Sequence, residues 1–166
     1  MTTSIEQRPV FLALVSLLPA ERAEWPLDAW DIGEQEAAVT ALTEALEETG
    51  TAVTGRQRAR LAAVAESWGQ WENLAGQVMA LPAVDEGGTP CHLVEARLAP
   101  DDRIDAVYDP LLWAVCARCD DRLLRLYERR PWGSVGPADR YAVSGSAGTR
   151  LYDDPLVAFE ALTARH

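Results

Sequence analysis

Residues 55–80 constrain the fold of this chain more than any other stretch. Leu61, Val64, Ala65, Trp68, Trp71, Ala75, Val78 and Met79 recur at the spacing that gathers side chains on one side of an α-helix. Thr54 and Gln57 stand at capping-box spacing, where hydroxyl and amide can satisfy backbone N–H groups that a helix start leaves open. Pro82 stops the segment. A helix with so long an apolar side must bury it against other elements. Gly69 and Gly76 fall inside the predicted helix, each weakening it by about 1 kcal/mol relative to Ala. They lie close together on the helical wheel, where another element can approach.

A second two-faced helix is predicted over 110–130. Asp109 and Pro110 suit its N-cap and first turn, and Pro131 ends it. Leu112, Val115, Cys116, Cys119, Leu123, Leu126 and Tyr127 form one face, while Arg118, Arg122, Arg125 and Arg129 gather opposite. Shorter helices are predicted over 34–49, with Gly50 as a stop, and over 154–164, opened by Asp154 and Pro155. Residues 92–98 alternate as a strand does, and 104–108 read as another short strand. Strands at 141–144 and 149–152 flank a glycine-rich turn. The apolar run 10–18, between Pro9 and Pro19, reads as a buried strand, with a short helix as the alternative. Residues 19–33, with two Trp and two Pro, read as a structured loop, and 85–90 as a turn-rich linker. The sum is an α+β fold: a helix-rich single domain over 1–166, about four helices packed with a small sheet.

The length of 166 residues suits one domain with a real core. The net charge of −11 argues against nucleic acid, whose binders present a basic face. Residues 1–50 hold Arg8 and Arg22 against ten acids, so the acidic half could meet a basic partner or simply be solvated. Every basic residue is Arg, and Ala is abundant, which suggests a GC-rich bacterial source. Three cysteines and no cationic leader suggest a reducing cytoplasm. No apolar run is long enough for a bilayer, so no membrane association is expected.

Four features could carry chemistry. Glu72 projects into the predicted stripe of 55–80, where a carboxylate must pair, stay protonated or line a cavity. Of the six tryptophans, Trp25 and Trp30 lie in the predicted loop, where they could anchor a partner or stack on a flat ligand. Trp68, Trp71 and Trp113 read as core. Cys116 and Cys119, with Cys91 and His92 upstream, could grip zinc on a tight knuckle, or pack as small apolar groups on the helix. The arginine ridge with Arg130 could hold an anion or form a solvated surface. No phosphate-binding loop, dinucleotide fingerprint, nucleophile elbow or zinc-protease motif is present, and His92 and His166 are the only histidines. Carboxylate chemistry by Glu72 with Glu66 or Glu95 is the remaining acid–base option.

These features suggest a non-catalytic accessory protein that binds a protein partner or itself, such as the helper subunit of a bacterial enzyme. No cofactor, metal, nucleic acid or membrane is expected. The alternative is a small-molecule-binding protein or small enzyme with a pocket around Glu72, Trp68 and Trp71. A third reading is a zinc-knuckle regulator. The accessory-protein reading leans on 55–80 and 110–130 being helices, whereas zinc would need a knuckle in place of the second.

Overall fold

The computed structural model describes residues 4–84, 91–131 and 136–164, with side chains described from Gln7 onward. The predicted linker at 85–90, Trp132 and His166 lie outside the described residues. Contacts divide the chain into two units, Met1–Glu86 and Gly87–His166, each described by itself.

The first unit is helical. Residues 10–18, expected as a strand, lie mostly within α1, Ser4–Val15. Phe11, Leu14, Val15 and Leu18 repeat at three- and four-residue spacing and all are buried. That packing holds the helix despite Pro9 inside it. The predicted loop is likewise a helix, α2, Ala20–Asp31, with Pro19 at its start and Pro26 buried within it. Helix α3, Gln35–Glu48, matches the expectation. Its buried side includes Ala38, Val39, Leu42 and Leu46.

The single helix expected over 55–80 is two helices, α4, Gly55–Ser67, and α5, Trp71–Ala80. The capping box is present: the Gln57 N–H donates to Thr54 Oγ1 at 3.1 Å, and the Thr54 N–H donates to Gln57 Oε1 at 2.8 Å. The break is at Gly69, whose φ is +67°. Its N–H donates to the Glu66 carbonyl at 3.0 Å and that of Gln70 to the Ala65 carbonyl at 2.8 Å, closing α4 in a Schellman motif. Glycine enters this left-handed region without the roughly 1–2 kcal/mol that a Cβ would add. Gly33 and Gly50 close α2 and α3 in the same way. Helix α5 restarts in a new register, with Trp71, Leu74 and Val78 inward. Arg58 ties the two helices together by donating to the Met79 and Leu81 carbonyls at 2.8 and 2.6 Å.

The second unit is an antiparallel meander of β1, Cys91–Leu98, β2, Tyr108–Cys116, β3, Arg122–Glu128, β4, Arg140–Gly145, and β5, Gly148–Tyr152, paired in that order. The helix expected over 110–130 therefore does not form; its residues make most of the β2–β3 hairpin. Both faces of β3 are buried, Leu124 and Leu126 on one and Leu123, Arg125 and Tyr127 on the other. A strand buried on both sides carries no polar alternation, so its apolar run mimics a helical stripe. The strand expected over 104–108 is a pair of turns that only enters β2 at Tyr108.

One face of this sheet packs Leu112, Leu124, Leu126 and Ala142 beneath Ala99 and Ile104 of the β1–β2 connection. On the other, Trp113 meets Phe159 of α6, Pro155–Thr163, at 4.7 Å between ring centroids. The β2–β3 register shifts between Leu112 and Ala114, a bulge that leaves Trp113 as the extra residue. Asp154 caps α6 by accepting the Val157 N–H at 3.0 Å, as its sequence predicts. The fold is thus α+β, with six helices rather than four among the described residues.

Candidate functional site

Helix α2 carries the most distinctive exposed surface of the helical unit. Trp25 is 61% exposed, and Ile32, at the end of the helix, is 70% exposed. Seven residues separate them, which is two helical turns, so they share a side of α2. Glu21, Glu24 and Asp28 are exposed on the same side, within an arc of about 100°. These three carboxylates make no ion pair among the described residues. The charges at the margins are engaged: Arg8 donates to Asp31 at 2.9 Å, and Arg22 pairs with Glu48 of α3. An indole with such neighbours offers a large apolar contact flanked on one side by negative charge.

The remaining sequence candidates in this unit separate from one another. Trp30 faces inward, stacked on Phe11 at 4.1 Å and edge-on to Trp68 at 6.2 Å. Trp71 is buried at the start of α5. Glu72 is exposed in the first turn of α5 because the break at Gly69 rotates it out of the apolar stripe, and there a carboxylate favours the helix dipole. The buried carboxylate is Glu66, 1% exposed on α4; Glu95, the other proposed acid–base group, is exposed. Trp68 lines a cleft of about 290 Å³ with residues 33–37, and neither Trp71 nor Glu72 reaches it. The Trp68 Nε1–H is buried without an acceptor among the described residues.

In the sheet unit, sequence reading missed a polar cluster around Asp101. The carboxylate is 4% exposed. Arg103 grips it with Nε on Oδ1 and Nη2 on Oδ2, each at 2.8 Å, and the Arg103 N–H adds a third bond at 3.1 Å. Ser144 donates to it from β4, and Arg122 of β3 lies 3.4 Å away. Arg103 also donates to the Gly145 carbonyl at 2.6 Å. The Arg103 hydrogen bonds hold the Asp101 carboxyl well below the usual carboxylate range, against the opposing effect of burial. The cluster clamps the β1–β2 connection to β3 and β4. Clefts of about 550 and 570 Å³ lie beside it, the second lined by Arg103, Arg122, Cys116, Cys119, Asp121 and Gly145 among others.

The predicted arginine ridge dissolves when its helix becomes strands. Arg122 and Arg125 are three residues apart in β3 and so face opposite sides. Arg125 is completely buried, its guanidinium 5.4 Å from the Trp113 ring and 5.5 Å from that of Tyr127. Arg129 pairs with Asp109, and Arg130 with Glu128 and Asp139.

The cysteines also change setting. Cys116 closes β2, directly across from Cys91, and Cys119 sits in the turn before β3. The Arg118 N–H lies 3.4 Å from Cys116 Sγ. A backbone hydrogen bond from Asp121 favours the Cys119 thiolate, but burial and the adjoining Cys116 thiol outweigh it and raise the Cys119 pKa. Among the described residues no group of three or more His, Cys, Asp or Glu side chains could hold a metal ion.

The chain matches no family model, and comparison with curated proteins and with solved structures finds no match. No helix among the described residues is long and apolar enough to cross a membrane.

Proposed function

We propose that this is a non-catalytic partner-binding protein that presents Trp25, on the acidic side of α2, to a basic surface of another protein. The observation that carries the reading is the 61% exposure of a tryptophan among Glu21, Glu24 and Asp28. Leaving an indole in water forgoes the stabilisation of burial, and a partner surface can recover it. The carboxylates around it would speed the encounter and select for Arg or Lys on the other side. The helix expected over 110–130, on which this reading leaned at the sequence level, plays no part in it; the surface of α2 replaces it as the support. We infer a reducing bacterial cytoplasm as the setting, in keeping with the odd count of three cysteines and with the Arg- and Ala-rich composition. A helper subunit of an enzyme is the form of partnership we favour.

The test compares the wild-type chain with Trp25→Ala as bait in a native extract at low and high salt. A basic protein retained by the wild type at low salt, released by salt and lost with the variant supports the proposal. Equal retention by both baits, or no retention at any salt, overturns it. Self-association abolished by Trp25→Ala would also count against it, because it makes the partner a second acidic chain.

A further inference from the structure

We propose that Cys116 and Cys119 form an oxidisable dithiol that closes to an intramolecular disulfide by exchange with a small-molecule disulfide. This goes beyond the partner-binding reading and uses a different part of the chain.

Three observations bring the pair together. Cys116 is the last residue of β2, and the hairpin turn after it is closed by the Cys116 N–H donating to the Asp121 carbonyl at 2.8 Å. The turn folds Cys119 back beside Cys116, near enough that the Cys116 thiol opposes ionisation of the Cys119 thiol. Both sulfur-bearing residues line the cleft of about 570 Å³, which Arg103, Arg122 and Ser146 also border, so a small reagent has a way in. Two neighbouring thiols held on one hairpin turn can reach the S–S bond length of about 2.05 Å by side-chain rotation. Metal capture is the poorer use of the pair, since no third ligand of a metal group joins it among the described residues.

The order of events follows exposure. Cys119 is half-buried, whereas Cys116 is 7% exposed. Cys119 therefore loses its proton and attacks one sulfur of the reagent RSSR, forming a mixed disulfide and releasing RS⁻. Cys116, deprotonated in turn, attacks the Cys119 sulfur; the protein S–S bond forms and the second RS⁻ leaves. The two protons lost by the cysteines go to the two RS⁻ groups. The protein gives up two electrons, and one RSSR becomes two RSH. The raised pKa makes Cys119 a slow first nucleophile, so what favours closure is the proximity of the second thiol. Cys91 faces Cys116 across β1 and β2 and is the competing partner, but it is 2% exposed and lies outside the residues that line the cleft.

The experiment is exposure of the reduced, folded full-length chain to oxidised glutathione at mildly alkaline pH, followed by alkylation, thiol counting in denaturant and peptide mapping without reductant. The titre is expected to fall from three thiols to one. Because Arg118 lies between the two cysteines, trypsin should release the peptides 104–118 and 119–122 joined at the mass of their sum less two hydrogens. Cys91→Ser should give the same linked pair, and Cys119→Ser should lose it. A lasting glutathione adduct on Cys119, a Cys91–Cys116 link, or an unchanged titre of three would overturn the proposal.

Discussion

At the scale of single residues, the Asp101 cluster offers the sharpest tests. Its carboxylate is buried under two arginines and a serine, so removing the charge leaves Arg103 and Arg122 without their counter-ion. Asp101→Asn is expected to destabilise the fold by about 1–3 kcal/mol at neutral pH. The pKa of Asp101 is depressed in the folded state, so its contribution is present above the ordinary carboxylate value of about 4. It is lost as pH falls from there towards the folded pKa. Urea unfolding at neutral pH and at about pH 3 should therefore show the gap between wild type and variant narrowing in acid; a constant gap would refute the charge-based account. Gly145 gives a steric counterpart. A Cβ there would lie 1.6 Å from Asp121 Oδ1 and 3.2 Å from its Cα. Asp121 is 4% exposed and has little room to retreat. Gly145→Ala is expected to cost about 1–3 kcal/mol, read as a lower urea midpoint.

Among the elements, the break between α4 and α5 decides what the first unit shows to solvent. Were residues 55–80 one helix, Glu72 would point into its apolar stripe; the left-handed turn at Gly69 places it outside instead. Helix propensity alone says Gly69→Ala should stabilise this region by about 1 kcal/mol. The positive φ says the opposite, and we expect a loss of about 1–2 kcal/mol in thermal or urea unfolding. A stabilised variant would mean that α4 and α5 can fuse. Helix α2 is the other decisive element. Trp25→Ala should change stability by less than about 1 kcal/mol, because most of the indole is in water. The same substitution in Trp30, stacked on Phe11, should cost about 3–5 kcal/mol. Equal effects in parallel unfolding curves would remove the distinction on which the partner face depends.

For the whole molecule, charge distribution is the governing property. The net charge of −11 is concentrated in the first fifty residues, which hold ten acids and two arginines. Partner binding through α2 should weaken on the order of tenfold between about 0.05 and 0.5 M salt, chiefly by slower association. Titration calorimetry or stopped-flow mixing with a captured partner checks this, and salt-independent binding would point to another surface. Features set by neighbours in the chain were legible from the sequence: the Thr54–Gln57 box, the stop at Gly50, the cap at Asp154 and the hairpin at the end of the sheet. Each depends on groups a few residues apart, but spacing alone does not guarantee the outcome: Asp109 and Pro110 read as the same helix start as Asp154 and Pro155, yet they lie in β2. Features set by distant groups were not. The Ser144–Asp101 bond joins residues 43 apart, and no spacing rule anticipates it. Residues 110–130 fit a helix as well as a hairpin until β1 and β4 supply backbone partners for both strands. The sequence by itself determined the α+β class, the caps at Thr54 and Asp154 and the acidic half, because composition and short-range hydrogen bonding suffice for these. Only the tertiary structure decided that Trp25 is outside and Trp30 inside, that Glu72 is wet and Glu66 dry, and that Cys116 and Cys119 border one cleft. The physical reason is that burial and long-range pairing belong to the packed molecule, where one residue of shift in register exchanges the inside for the outside.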